Sequence, residues 1–130
     1  SFVIDEMTID EEHEMFSWNS DTLNLGSDYV ETEIALIVEK VNNIVYFNNN
    51  KDARYSTTQP VFVKVENSYS IRTTGSIEVG NILIKPNFDG TYTEEEVTVI
   101  TLEEEVDVTY QINCEPYDWF VAGGFLVHNK

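Results

Sequence analysis

The chain has 130 residues, of which 42% are hydrophobic, and it carries a formal net charge of −17 at pH 7. This length favours a single domain over residues 1–130 with its own core, and the apolar content excludes a disordered acidic tail. The excess of carboxylates opposes binding to nucleic acid or to an anionic membrane, because contacts with phosphate need Lys and Arg.

The N-terminal part of the chain predicts one short strand and one helical turn. Residues 1–9 favour an N-terminal strand, and they begin with Ser1 rather than Met, which we interpret as the sign of a processed or excised piece. Residues 10–18 predict a short helix or a single helical turn. No other segment favours helix, and no apolar run is long enough to span a bilayer.

The rest of the chain shows the period-two alternation of apolar and polar residues that is typical of β-strands. The predicted strands are 34–41, 43–47, 61–66, 68–72, 81–84, 96–102, 106–112 and 119–127. Turn-forming residues lie between them, at 48–52, 66–68, 74–75, 86–90 and 122–124. Many short strands with almost no helix predict an all-β domain.

Two runs of three glutamates, at 94–96 and 103–105, flank the apolar segment 97–102. We interpret them as solvated strand ends that protect a sheet edge from pairing with other chains. A carboxylate metal site is the alternative, but successive side chains on a strand point to opposite faces and do not converge on one ion. The two histidines and the single Cys114 lack zinc-ligand spacing, so we predict neither a metal nor a cofactor.

The last residues of the sequence carry its clearest sign of chemical reactivity. An apolar strand, a glycine turn and a second apolar strand lead to His128 and Asn129. The side-chain amide nitrogen of an asparagine can attack its own backbone carbonyl, close a succinimide and break the peptide bond that follows. A neighbouring histidine, with a reference pKa of about 6.5, can polarise that carbonyl or carry a proton.

This C-terminal segment resembles the closing motif of inteins and, more broadly, of the Hint superfamily of self-processing domains. The resemblance covers residues 110–129: a strand led by Tyr110, a turn, an aromatic strand, glycine, and then Val127-His128-Asn129. Asp118, or Tyr117 if the turn shifts by one residue, stands where the family often has a catalytic His.

Two further segments resemble ordered motifs of the same family. At the N-terminus, Ser1 and Asp5 fit the family's first strand, which begins with Cys or Ser. In residues 54–63, Ser56 and Gln59 stand at the Thr and His positions of a Thr-x-x-His motif. That His assists the N-terminal acyl shift in the family. Gln59 can donate a hydrogen bond to an oxyanion, but it cannot take up or release a proton at neutral pH.

The resemblance implies a Hint fold: all-β, horseshoe-like and pseudo-two-fold, with the chain termini close together and no homing-endonuclease insertion. It implies single-turnover autoprocessing, either splicing or self-cleavage, by a monomer in the cytoplasm of a host cell. The partners would be flanking polypeptides, the exteins, in cis. Ser1 would be the N-terminal nucleophile, Asn129 the cyclising residue and His128 its assistant. The remaining catalytic positions would be filled by Gln59 and Asp118.

Lys130 limits the chemistry that the resemblance implies. The residue after the cyclising Asn is a Cys, Ser or Thr that accepts the acyl group in a splicing intein, whereas Lys130 has neither hydroxyl nor thiol. A lysine ammonium, with a pKa of about 10.4, is a poor acceptor at neutral pH. The sequence therefore predicts cleavage after Asn129 rather than splicing. The alternative is an acidic all-β binding module of a phage-type structural protein, without catalysis.

Overall fold

A computed structural model describes residues 4–8, 17–18, 20–25, 33–87, 89–104, 107–115 and 119–128. In these ranges the chain is almost entirely β-structure, as predicted, and one 3₁₀ turn lies at Thr74–Ser76. The strands are β1 (Ile4–Thr8), β2 (Ser17–Trp18), β3 (Leu23–Asn24), β4 (Glu33–Val41), β5 (Ile44–Phe47), β6 (Tyr55–Ser56), β7 (Pro60–Val65), β8 (Ser68–Thr73), β9 (Ile82–Pro86), β10 (Tyr92–Glu96), β11 (Ile100–Glu103), β12 (Asp107–Glu115), β13 (Trp119–Ala122) and β14 (Phe125–His128).

One of the predicted strands is wrong. The single strand predicted at 96–102 is two strands, because β10 ends at Glu96 and β11 begins at Ile100. Between them the Asn48 side chain accepts hydrogen bonds from the backbone amides of Thr98 and Val99 and replaces the ladder. Of the helical turn predicted at 10–18, the structure describes only Ser17 and Trp18, which form strand β2 and pair with β3. Residues 10–16 and 19 lie outside the described residues.

The largest sheet of the described chain has the strand order β1-β13-β14-β7-β9-β10, with β8 also paired to β7. Its central strands are apolar runs rather than alternating ones. Successive residues of these runs enter two different core clusters: Val61 and Phe62 are on opposite faces, as are Phe120 and Val121. These runs are therefore buried on both faces of the sheet, which is why apolar residues follow one another in them instead of alternating with polar ones.

Smaller sheets cover the two faces. The three-stranded sheet β11-β5-β6 contributes to the first core cluster, which comprises Val45, Phe47, Ala53, Tyr55, Val61, Val63, Ile77, Leu83, Val97, Phe120, Ala122, Phe125 and Val127. Strand β3 contributes to the second core cluster, which comprises Leu23, Leu25, Phe62, Tyr69, Ile84, Trp119, Val121 and Leu126. Strands β4 and β12 pair along nine residues as a separate two-stranded ribbon.

The turn between β13 and β14 depends on glycine. Gly123 and Gly124 have φ angles of 64° and 89°, and they form the two-residue connection of a hairpin. A Cβ on Gly123 would lie 2.8 Å from the Cα of Ala53, so no side chain fits there. This turn sets the register of the hairpin, in which Ala122 pairs with Phe125 and Trp119 pairs with His128.

The acidic segments lie at sheet edges, as predicted. Strand β10, which contains residues 94–96, ends the order of the largest sheet, and β11, which contains Glu103, ends the order of the three-stranded sheet. Two of the carboxylates pair with cations: Glu94 lies 3.0 Å from the Lys64 ammonium, and Glu103 lies 3.4 Å from the Arg54 guanidinium. Glu105 lies outside the described residues.

Candidate functional site

The structure describes two of the five predicted site residues and brings them into contact. The side-chain nitrogen Nε2 of Gln59 donates a hydrogen bond to the backbone carbonyl of His128 at 2.9 Å, and another to the carbonyl of Pro60 at 3.1 Å. Ser1, Asp118 and Asn129 lie outside the described residues. The two motifs of the resemblance, 69 residues apart in sequence, therefore meet at one point of the fold.

Backbone hydrogen bonds hold the main chain of Gln59 in place. Its N–H donates to the carbonyl of Ser56 at 3.1 Å, and its carbonyl accepts from the N–H of Thr74 at 2.9 Å. The Thr74 hydroxyl also donates to the Ser56 carbonyl, and both Thr74 and Gln59 are buried. The tight turn before β7 is thereby fastened to the 3₁₀ turn after β8, which fixes the direction of the Gln59 side chain.

A proline explains why a side chain, and not a backbone N–H, donates a hydrogen bond to the His128 carbonyl. Strands β14 and β7 pair at Val127 and Val61, and continuing this register by one residue places Pro60 opposite His128. Proline has no backbone N–H and cannot donate to a neighbouring strand. The amide of Gln59 supplies a donor in its place, so the carbonyl at the end of β14 remains satisfied.

The imidazole of His128 is fixed by a separate contact. Its ring packs edge-to-face on Trp119 with a centroid distance of 4.6 Å, and Trp119 packs edge-to-face on Phe62 at 5.1 Å. Such pairs have preferred geometries that restrict ring orientation. The backbone and the ring of the half-buried His128 are therefore positioned by different partners.

Thr74 and Trp119 contribute to this site although the sequence patterns do not single them out. Trp119 could have been found from the glycine turn, because a two-residue hairpin places it opposite His128. Thr74 carries no such signal, because its contacts join turns that are distant in sequence. Farther along the hairpin, the buried Tyr55 hydroxyl donates to the Ala122 carbonyl, and burial and the Glu95 carboxylate raise the pKa of Tyr55.

The N-terminal strand reaches the same hairpin from its other side. Strand β1 pairs with β13, with Ile4 opposite Ala122 and Thr8 opposite Phe120, so β1 and β14 flank β13. Ile4 and His128 lie beside opposite ends of β13, which separates them by about 10 Å across the sheet and about 10 Å along it. The approach of Ser1 to Asn129 stays a prediction, because both lie outside the described residues.

Two kinds of site are absent from the part of the chain that the structure describes. No group of three or more His, Cys, Asp and Glu side chains there has an arrangement that could hold a metal ion. Nor does that part contain a helix with the length and apolar character needed to cross a bilayer.

Solved structures share this arrangement of strands. The TvoVMA intein superposes with a TM-score of 0.63 at 18% sequence identity, over 85% of this chain and 71% of that one. The chain has the fold of inteins. The KlbA intein precursor from Methanococcus jannaschii superposes on this intein fold with a TM-score of 0.60 at 15% identity, over 73% of this chain and 54% of that one. The transcription factor IIB Mvu mini-intein gives 0.59 at 18% identity, over 72% of this chain.

The extent of this likeness is limited in two respects. The aligned part amounts to 61% of the transcription factor IIB mini-intein and 58% of the PabCDC21-1 intein, so the chain spans about three-fifths of these two structures. The sequence matches no protein-family model and no curated protein sequence. The intein fold is therefore established by structure rather than by sequence identity.

Proposed function

We propose that this domain cleaves its own peptide bond after Asn129 in a single turnover. In this reaction the Nδ2 of Asn129 bonds to the Asn129 carbonyl carbon, and a succinimide closes. The bond from that carbon to the Lys130 nitrogen breaks, and the amine of Lys130 leaves with a proton. His128 assists by polarising the carbonyl or by carrying the proton. The flanking polypeptide after the cleaved bond is the partner in cis.

The observation that carries this proposal is the support given to the C-terminal junction within an intein fold. The hairpin β13–β14 lies between β1 and β7, and the strand that leads to Asn129 is paired on both sides. At its end the His128 carbonyl is bound by Gln59 and the His128 ring packs on Trp119. A strand that is held up to His128 supports the start of an intramolecular attack by the next residue, because such an attack requires aligned groups.

The N-terminal half of the reaction takes its residues from the resemblance. We include Ser1 as the candidate nucleophile and Asp118 as a further candidate at the junction, on the resemblance alone. The hydroxyl of Ser1 needs a base, and Gln59 cannot be one. With Lys130 as the following residue, cleavage is favoured over splicing.

A fusion experiment tests the proposal. A reporter domain is attached after Lys130, and the mass of the released fragment is followed during incubation of the purified fusion. We expect release at the Asn129–Lys130 bond in the parent protein and none in the Asn129→Ala variant, because no other group supplies the attacking amide. Equal release from both proteins would identify ordinary proteolysis and would favour the acidic binding module, which the intein fold does not favour.

A further inference from the structure

We infer that Gln59 is a positioning residue for the C-terminal cleavage, and that it acts through the carbonyl of His128. This inference rests on the proposed function. The resemblance places the residue at this position in the N-terminal acyl shift. The described contacts of the Gln59 side chain, in contrast, lead to the end of β14 and to Pro60.

The contact restrains the peptide unit that precedes the cyclising residue. The carbonyl of His128 and the N–H of Asn129 belong to one planar peptide group. The hydrogen bond from Gln59 Nε2, at 2.9 Å, therefore limits rotation of the group that carries the Asn129 nitrogen. The attack of Asn129 Nδ2 on its own carbonyl needs a narrow range of backbone angles at Asn129. Fixing the preceding peptide group reduces the conformations that must be searched before the attack.

Gln59 is suited to this role by its burial and by its backbone contacts. Only 6% of its surface is exposed, so water competes poorly for the His128 carbonyl. The Ser56 carbonyl and the Thr74 amide hold its main chain on both sides. Since Pro60 lacks an N–H, no backbone donor on β7 takes over at that position when the amide is removed. In this role the side-chain amide of Gln59 transfers no proton, and none of its covalent bonds forms or breaks during the reaction.

Two substitutions separate this role from a general effect on folding. Gln59→Ala removes the donor, and cleavage after Asn129 should slow about 10-fold, since misplaced reacting groups lose rate steeply. Gln59→Glu keeps the shape but presents a carboxylate, which cannot donate at neutral pH. Burial raises the pKa of a carboxyl group, and its protonated form has one O–H donor. The Gln59→Glu variant should therefore regain at least a third of the parent rate as pH falls from about 8 to about 5, while Gln59→Ala should stay slow.

The measurement is the rate of reporter release from the Lys130 fusion across this pH range, divided by the parent rate at each pH. Thr58→Ala is the matched control, because Thr58 is an exposed neighbour in the same turn and should release at the parent rate. Circular dichroism confirms that each variant is folded. If the alanine variant does not fold, the pH profile of Gln59→Glu decides.

The possible failures are distinguishable. A parent protein whose release does not depend on Asn129 overturns the proposed function itself. A parent protein that cleaves with dependence on Asn129, together with Gln59→Ala and Gln59→Glu rates within twofold of it at every pH, overturns only the positioning role. Slowing of Gln59→Glu that is equal at every pH also overturns it, because the loss would then come from a structural change and not from the missing donor.

Discussion

His128 is held by two separate contacts, since Gln59 binds its carbonyl and Trp119 packs on its ring. These contacts assign different tasks to one residue. The carbonyl contact concerns position, whereas the ring is the group that can exchange a proton. Substitution of the side chain should consequently affect chemistry while leaving the backbone contact in place.

We predict that His128→Ala slows release at the Asn129–Lys130 bond by about 10²-fold without abolishing it, since general acid–base assistance contributes 10²–10⁴-fold. The readout is the fragment mass over time in the reporter fusion. His128→Gln is the matched control, because it can hydrogen-bond but cannot carry a proton at neutral pH. If His128→Ala releases its fragment at the parent rate, the imidazole has no part in the reaction.

Tyr55 allows a prediction about stability. Its buried hydroxyl donates to the Ala122 carbonyl, and burial raises the pKa of Tyr55 above its ordinary value. Tyr55→Phe should lower the free energy of unfolding by about 0.5–1.5 kcal/mol at neutral pH, because the buried hydrogen bond from the hydroxyl to the Ala122 carbonyl is lost. Urea unfolding of both proteins measures this. An unchanged unfolding midpoint would show that the carbonyl has another partner.

The same substitution has a pH signature. Below about pH 10 the hydroxyl of Tyr55 is protonated in both the folded and the unfolded states, so its contribution to stability is fully present. Above about pH 10 the unfolded state ionises first, because the folded pKa is the higher one, and stability falls as pH rises. The parent protein should therefore lose stability between about pH 9 and 11 more steeply than Tyr55→Phe does.

The residue types of the site were predictable, but their partners were not. Gln59 and His128 follow from the motif resemblance, which is a local pattern. The bond between them joins β14 to the turn before β7, and Thr74 reaches that turn from another hairpin. Contacts of this kind depend on the order of strands in the sheet, which no window of neighbouring residues encodes.

At the scale of elements, the β13–β14 hairpin depends on two glycines with different surroundings. Both have positive φ, but a Cβ at Gly123 would meet Ala53 at 2.8 Å, whereas the nearest atom to one at Gly124 is a Lys85 side-chain carbon at 3.8 Å. Substituting the two glycines one at a time therefore separates the effect of backbone strain, which both positions share, from that of steric overlap, which only Gly123 has.

We predict that Gly124→Ala destabilises the fold by about 1–2 kcal/mol through left-handed strain alone. Gly123→Ala should cost about 1–3 kcal/mol more, because the backbone of Ala53 must also move. Chemical denaturation of both variants gives the comparison. Equal losses would mean that the segment around Ala53 adapts without cost, and that Gly123 is required for its φ angle only.

The predicted strands agree with the structure where apolar residues alternate with polar ones or form uninterrupted runs. They fail where a single side-chain contact determines where a strand ends. Strand β10 was largely missed, because three successive glutamates hide the period-two pattern, yet it pairs with β9 over its five residues. The break at 97–99 follows from the Asn48 side chain, which also donates to the Glu96 carbonyl at 2.8 Å. Strands β2 and β3 have two residues each, too few to show a period.

At the scale of the whole molecule, the charge of −17 acts against compaction. We predict that the free energy of unfolding rises between about 0.05 and 0.5 M sodium chloride, because salt screens repulsion among exposed carboxylates. Urea denaturation at each salt concentration measures it, and potassium chloride should give the same rise. A fall with salt would show that the Lys64–Glu94 and Arg54–Glu103 pairs outweigh the repulsion.

The all-β class and the intein fold were predictable from turn spacing and from the resemblance, whereas the strand order was not. The largest sheet places β1 next to β13 and places β14 next to β7, so segments that are distant in sequence are joined in it. Local alternation shows that a residue belongs to a strand. It does not show which strand lies beside it, because backbone pairing is the same for every sequence.

The position of the last hairpin has a consequence for the timing of synthesis. Residues 119–128 lie between β1 and β7, so among the described strands β1 and β7 are joined in the largest sheet only through these residues. A ribosome that has delivered residues 1–115 has produced most of the chain, but the nascent domain still lacks the middle of its sheet. Under the proposed function, Asn129 would leave the ribosome directly after the hairpin that supports the junction, so we expect cleavage to begin only after this hairpin has joined the sheet.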